Sequence, residues 1–142
     1  MRKFAVAISI FMLGSGLALA DPAEDREALM KSFGKSMGTL APYAKGEKPY
    51  DAAEVLAALT TMNENAQKLD VVALFPQGDT GEAASPKIWE NFADFQAHAD
   101  KLKTDVAAAV AAAPADQAAL GQQMGAIGAD CGACHELYRV KK

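Results

Sequence analysis

Residues 92–113 read FADFQAHADKLKTDVAAAVAAA. Phe92, Phe95, Ala99, Leu102, Val106, Ala109 and Ala113 recur alternately three and four positions apart. That is the a/d stripe of a helix that buries one side in a bundle. Long and small side chains are mixed along the stripe, so neighbouring helices can approach closely. No strand-like alternation competes with this period anywhere in the chain.

Working outward, Pro114 opens a further helix, with Leu120, Met124, Ile127, Cys131, Cys134 and Tyr138 on or near its inner side. Upstream, FPQGDTGEAASP (75–86) carries glycines and prolines without periodicity and reads as a long connection. Ile88, Trp89 and Phe92 are placed to fold it back onto the core. Before it, Val55, Leu59, Met62, Ala66 and Leu69 line another helix, opened by the capping box Asp51–Glu54 after the turn KGEKPY (45–50). The first helix starts at Pro22, with Glu24, Asp25 and Glu27 complementing its dipole. Its apolar side is Leu29, Met30, Phe33, Met37 and Leu40, and Pro42 stands near its stop. Gly34 and Gly38 lie four apart on it, which predicts a close neighbour. Four amphipathic helices joined by short turns at 45–50 and at 114 predict an all-α, antiparallel four-helix bundle.

Residues 1–20, MRKFAVAISIFMLGSGLALA, stand outside this pattern. A basic start, an apolar run and Ala18-Leu19-Ala20 read as a cleaved export signal. The expected domain is therefore 21–142, exported, with no stable membrane insertion of the mature chain. Arg2 and Lys3 are two of the chain's 14 basic residues, and none of its 18 acidic ones lies in this segment, so the remainder carries a net charge of −6. The basic residues are scattered, which excludes a nucleic-acid footprint. A partner with a basic face suits the charge better than an acidic one.

The last turn predicted for the bundle carries the chemistry. CGACH at 131–135 is the Cys-x-x-Cys-His signature of c-type haem attachment. On a helix, positions 131 and 134 share a side, so both sulfurs can form thioethers to one porphyrin edge. His135 follows directly and can ligate the iron. A Cys131–Cys134 disulfide and a redox dithiol are the competing readings for an exported chain. Structural zinc would need more convergent ligands than these. His98, the remaining histidine, reads as a solvated surface residue. Small residues at Gly125, Gly128, Ala129 and Ala133 would leave space for a flat cofactor.

Taken together, REALM (26–30), PYAKGEKPYDAAEV (42–55), FPQGD (75–79), PKIWENFADF (86–95) and CGACHELYR (131–139) resemble the class II cytochromes c across essentially the whole of residues 21–142. The resemblance implies a four-helix bundle exported to the periplasm, with one covalently bound haem c, redox partner proteins and a homodimer formed through the first two helices. It makes Cys131 and Cys134 the thioether cysteines and His135 the proximal iron ligand. Arg139 matches an arginine packed on the proximal side, and Arg26 one placed near a haem propionate. Met30 stands where the family divides. A methionine ligand there gives a six-coordinate, low-spin electron carrier; a side chain that does not ligate gives five-coordinate, high-spin cytochrome c prime, which binds nitric oxide or carbon monoxide. With Met30 in that position, the expectation is a His135/Met30-ligated one-electron carrier and not an enzyme, with the gas-binding protein as the alternative.

Overall fold

The computed structural model describes residues 21–81 and 83–141; the expected export signal lies outside the described residues. Six helices follow in order: α1 Pro22–Ala44, α2 Ala52–Gln67, α3 Val71–Leu74, α4 Lys87–Glu90, α5 Phe92–Ala112 and α6 Gln117–Tyr138. The four long ones close into a ring, with α1 against α2 and α6, and α5 against α2 and α6. No sheet forms among the described residues, and the one isolated bridge joins Ala84 to Arg139.

The ends of the bundle are chemically distinct. At one end the two short turns meet, where the Tyr50 hydroxyl donates to the Pro114 carbonyl at 2.5 Å. Gly46 holds φ +71°, a left-handed conformation that favours glycine, so the turn after α1 needs it for conformation. At the other end lie the start of α1, the long connection 68–91, the start of α5 and the end of α6. This is the up-down-up-down arrangement that short turns at one end impose.

Capping explains where the helices begin. Asp21, Asp51, Asp70 and Asp116 each accept backbone N–H bonds at the first turn of α1, α2, α3 and α6, satisfying donors that would otherwise lack partners. The fourth long helix therefore starts at Asp116, not at Pro114, which is buried in the preceding turn. Pro42 does not stop α1, which runs on to Ala44; proline that late removes only one of the last helical bonds.

The α5 stripe forms as expected, with Phe95, Ala99, Leu102, Val106 and Ala109 buried. Ala113 instead leaves the helix in a left-handed cap at φ 41°. On α1 the buried set is Arg26, Leu29, Phe33, Ser36, Leu40 and Tyr43, again alternately three and four apart. Met30 and Met37 flank that stripe, half-buried against the core. Gly34 and Gly38 are exposed, and a Cβ at either would meet nothing within 4 Å. The expected close neighbour is therefore absent among the described residues, because the α1 stripe turns this side away from α2 and α6. The expected connection 75–86 forms as read, bracketed by the one-turn helices α3 and α4. Trp89 Nε1 donates to the Phe75 carbonyl at 3.1 Å and Ile88 is buried, which folds it back onto α5.

Candidate functional site

α6 brings Cys131, Cys134 and His135 to the end of the bundle that holds the long connection. Both cysteines are free, half-buried and packed against the core, while His135 is exposed one position further on. The end of the helix is fastened by its neighbours. Ser85 N donates to the Tyr138 carbonyl and Val140 N to the Ala83 carbonyl, both at 2.9 Å. Arg139 N caps the helix on the His135 carbonyl at 3.2 Å. The Tyr138 hydroxyl donates to Asp94 Oδ2 at 2.5 Å, and its ring meets Phe95 edge-on at 5.2 Å. Burial first, then the bond to Asp94, push the Tyr138 phenol up to about 12, so it stays a donor.

Electrostatics distinguish among the readings of the motif. Burial, followed by the charges of Cys131 and Asp94, pushes the Cys134 thiol up to about 11. Cys131 is raised too, by burial and then by the carboxylate of Asp130. A reactive dithiol needs the opposite, a thiol held low by positive surroundings. His135 is lowered by burial and then by the Arg139 guanidinium, which favours a neutral imidazole with a free lone pair. Among the described residues no three His, Cys, Asp or Glu side chains converge as a metal-ion site. Two protonated thiols three apart and a neutral imidazole fit a covalently held haem, with two sulfurs for the porphyrin edge and one nitrogen for the iron.

The other expected residues are placed as follows. Arg139 leaves the end of α6 beside the connection, exposed, with its charge acting on His135. Arg26 is 7% exposed. Its guanidinium donates to the Leu74 carbonyl at 3.0 Å and to both oxygens of Asp79 at 3.2 and 3.3 Å, and lies 5.3 Å from the centre of the Phe75 ring. It ties the long connection to α1. Gly81, at φ +48°, lets that connection pass, since a Cβ there would meet Arg26 Nη2 at 2.3 Å. His98 is not simply solvated: it is half-buried, with its ring 6.0 Å from Tyr138 and Nε2 3.5 Å from Asp94 Oδ2. Beside α6 the expected room exists on an open side. A Cβ at Gly125 or Gly128 would meet nothing within 4 Å, and Ala129 and Ala133 are exposed.

Three partners escaped sequence reasoning: Asp79, Asp94 and Asp130. Their bonds to Arg26, Tyr138 and Lys101 are long-range, so no local spacing marks them, although Asp94 also lies one turn from His98. For Asp79 the consequence is measurable. The Arg26 guanidinium holds its carboxyl below the ordinary range, so the folded state binds fewer protons than the unfolded one as pH falls. The stability it contributes is present above about pH 4 and is lost as pH drops through the lowered folded value. Asp79→Asn should therefore flatten part of the acid decline in melting temperature followed by circular dichroism. An unchanged decline would show that the ion pair contributes nothing.

An all-helical bundle whose final helix ends in this attachment turn defines a c-type cytochrome of the bundle class. The chain belongs to the cytochrome c' family, whose sequence profile matches residues 21–139. It is 53% identical to cytochrome c-556 of Agrobacterium fabrum over 124 residues, 87% of this chain and 84% of that one. A ferrous variant of cytochrome c prime from Alcaligenes xylosoxidans with bound nitric oxide superposes with a TM-score of 0.77 at 32% identity, over 86% of this chain and 95% of that one. A carbon monoxide-bound variant from the same organism gives a TM-score of 0.77 at 31% identity, over 85% and 95% of the two chains. Haem c, covalently attached, is thus the cofactor, and the chain is a haem protein, not an enzyme.

These likenesses correct the expected His135/Met30-ligated electron carrier. An iron that takes up nitric oxide or carbon monoxide keeps a coordination position free for it. Met30 in this fold is a half-buried apolar side chain packed against the core beside the α1 stripe, so its presence at the branching position follows from packing and does not require a bond to iron.

Proposed function

We propose that this chain is a periplasmic, five-coordinate haem c protein that binds nitric oxide or carbon monoxide. In this reading Cys131 and Cys134 carry the two thioethers and His135 is the proximal ligand. The haem held by these residues would supply an iron centre able to accept a diatomic ligand. The observation that carries the reading is the likeness to solved chains holding nitric oxide and carbon monoxide. The neutral state favoured for His135 supports it, since the imidazole needs its lone pair for the iron. Desolvation first and then the Arg139 charge lower the imidazole's proton affinity, and the pairing of Ala83–Ser85 with the end of α6 holds the attachment turn against the core.

Export after removal of residues 1–20 would deliver the chain to the periplasm, with residues 21–142 as the cytochrome domain. No described helix is long and apolar enough to cross a membrane. A redox partner would return the iron to the ferrous state. Pairing of two chains through α1 and α2 is supported by the exposed Gly34, Gly38 and Leu56; a monomer in sedimentation velocity would remove that element. Spectroscopy tests the central reading. The oxidised protein should be high-spin, the reduced protein should bind carbon monoxide without first losing a ligand, and Met30→Leu should change neither. A low-spin oxidised spectrum with a sulfur-to-iron band, lost in Met30→Leu, would overturn it.

A further inference from the structure

The α6 residue directly before the attachment turn has a burial that the attachment chemistry does not explain. Asp130 is 6% exposed. Its Oδ1 meets Lys101 Nζ from α5 at 2.7 Å, whereas its Oδ2 is buried without a hydrogen-bond partner. The same ammonium lies 2.6 Å from Asp105 Oδ2. Two carboxylates thus share one ammonium, and the ionised cluster carries one surplus negative charge. The Lys101 ammonium, bonded to Asp105, holds the Asp105 carboxyl below its ordinary range. The field also reaches the neighbouring sulfur, since the Asp130 charge adds to burial in raising the Cys131 thiol. A buried carboxylate with an unpaired oxygen is unfavourable. Packing does not ask for it, because the adjoining inner positions of α6 are apolar.

We propose that the Lys101–Asp105–Asp130 cluster is a fixed electrostatic bias on the haem attached at Cys131, its surplus negative charge holding the iron toward the ferric state. The inference rests on the attachment role of Cys131. Oxidised iron carries one more positive charge than reduced iron, so a nearby negative charge in a poorly screening interior stabilises it. The cluster thereby limits how much of the protein is ferrous, and ready for carbon monoxide, at a given ambient potential.

Potentiometric titration of the haem-loaded protein tests this with three variants. Asp130→Asn should raise the midpoint, increasing the ferrous-to-ferric ratio at fixed potential about tenfold, or about 59 mV for a one-electron couple. Asp105→Asn should shift it the same way by less, and Lys101→Met should lower it. Opposite signs separate a field from packing, because loosening the α5–α6 contact would move all three alike. Shifts of one sign, or none above about twofold at constant helix content, would overturn the proposal. Should Asp130→Asn fail to fold, the opposed signs of the other two carry the test. Carbon monoxide titration of the fully reduced protein keeps the two readings apart: absent binding overturns the gas-binding function and leaves the potential shifts standing, whereas normal binding with unmoved potentials overturns the bias alone.

Discussion

The double variant Cys131→Ala/Cys134→Ala, expressed with haem-maturation machinery, should carry no covalent haem, and its band on a denaturing gel should show no haem stain. Positions 131 and 134 lie on one side of α6, each half-buried and neither bridged to the other, so each sulfur is available to one edge of a porphyrin. The effect is complete because the described residues contain no other cysteine. His135→Ala separates attachment from ligation. Its haem stain should persist, while the absorption spectrum of the reduced protein should lose the features of nitrogen ligation. Stain surviving in the double variant would remove the cysteines from the site. A His135→Ala spectrum identical to the parent would move the proximal ligand elsewhere.

Phe95→Ala should destabilise the protein by about 3–5 kcal/mol, the range for removing a large aromatic side chain from a packed core. Phe95 is 5% exposed on α5 and joins three parts of the molecule. It meets Phe75 of the long connection at 4.8 Å, Tyr138 at the end of α6 at 5.2 Å and Phe92 at 6.3 Å. Edge-on aromatic pairs of this kind add to the burial they already represent. The loss should therefore fall on the end of the bundle that carries the attachment turn. Urea denaturation gives the number, with Val72→Ala, 65% exposed on α3, as a control expected within about 0.5 kcal/mol. A loss below about 1 kcal/mol for Phe95→Ala would mean that this aromatic contact does not hold the end together.

How far the chain could be read differs between its apolar and polar residues. The inner sides of α2 and α5 were legible because the hydrophobic period is local: Val55, Leu59, Met62, Ala66 and Leu69 are all buried where the spacing puts them. The attachment motif was legible for the same reason, since its three residues occupy one helical turn. On α1 the reading was half right. Leu29, Phe33 and Leu40 are buried as expected, but Arg26 and Ser36 complete the stripe. A hydrophobicity pattern passes over both; for Arg26, only its bonds to Leu74 and Asp79 make burial tolerable. Met30 was misjudged in the opposite sense: its identity suggested a ligand, yet a methionine beside a packed stripe fills space equally well.

The sequence by itself determined that the chain is all-helical, that four long helices form a bundle and that residues 131–135 carry a haem-attachment signature, since each of these follows from residues within one or two helical turns. Only the tertiary structure decided that Arg26 meets Asp79 and that Lys101, one helical turn from Asp105, also meets Asp130 of α6. It likewise decided that Tyr138 reaches Asp94 and that Arg26 turns inward to hold the long connection. The physical reason is range. Helical period and capping act over three or four residues, whereas the pairing of Arg26 with Asp79 spans 53 positions and arises only when the start of α1 meets the chain that follows α3.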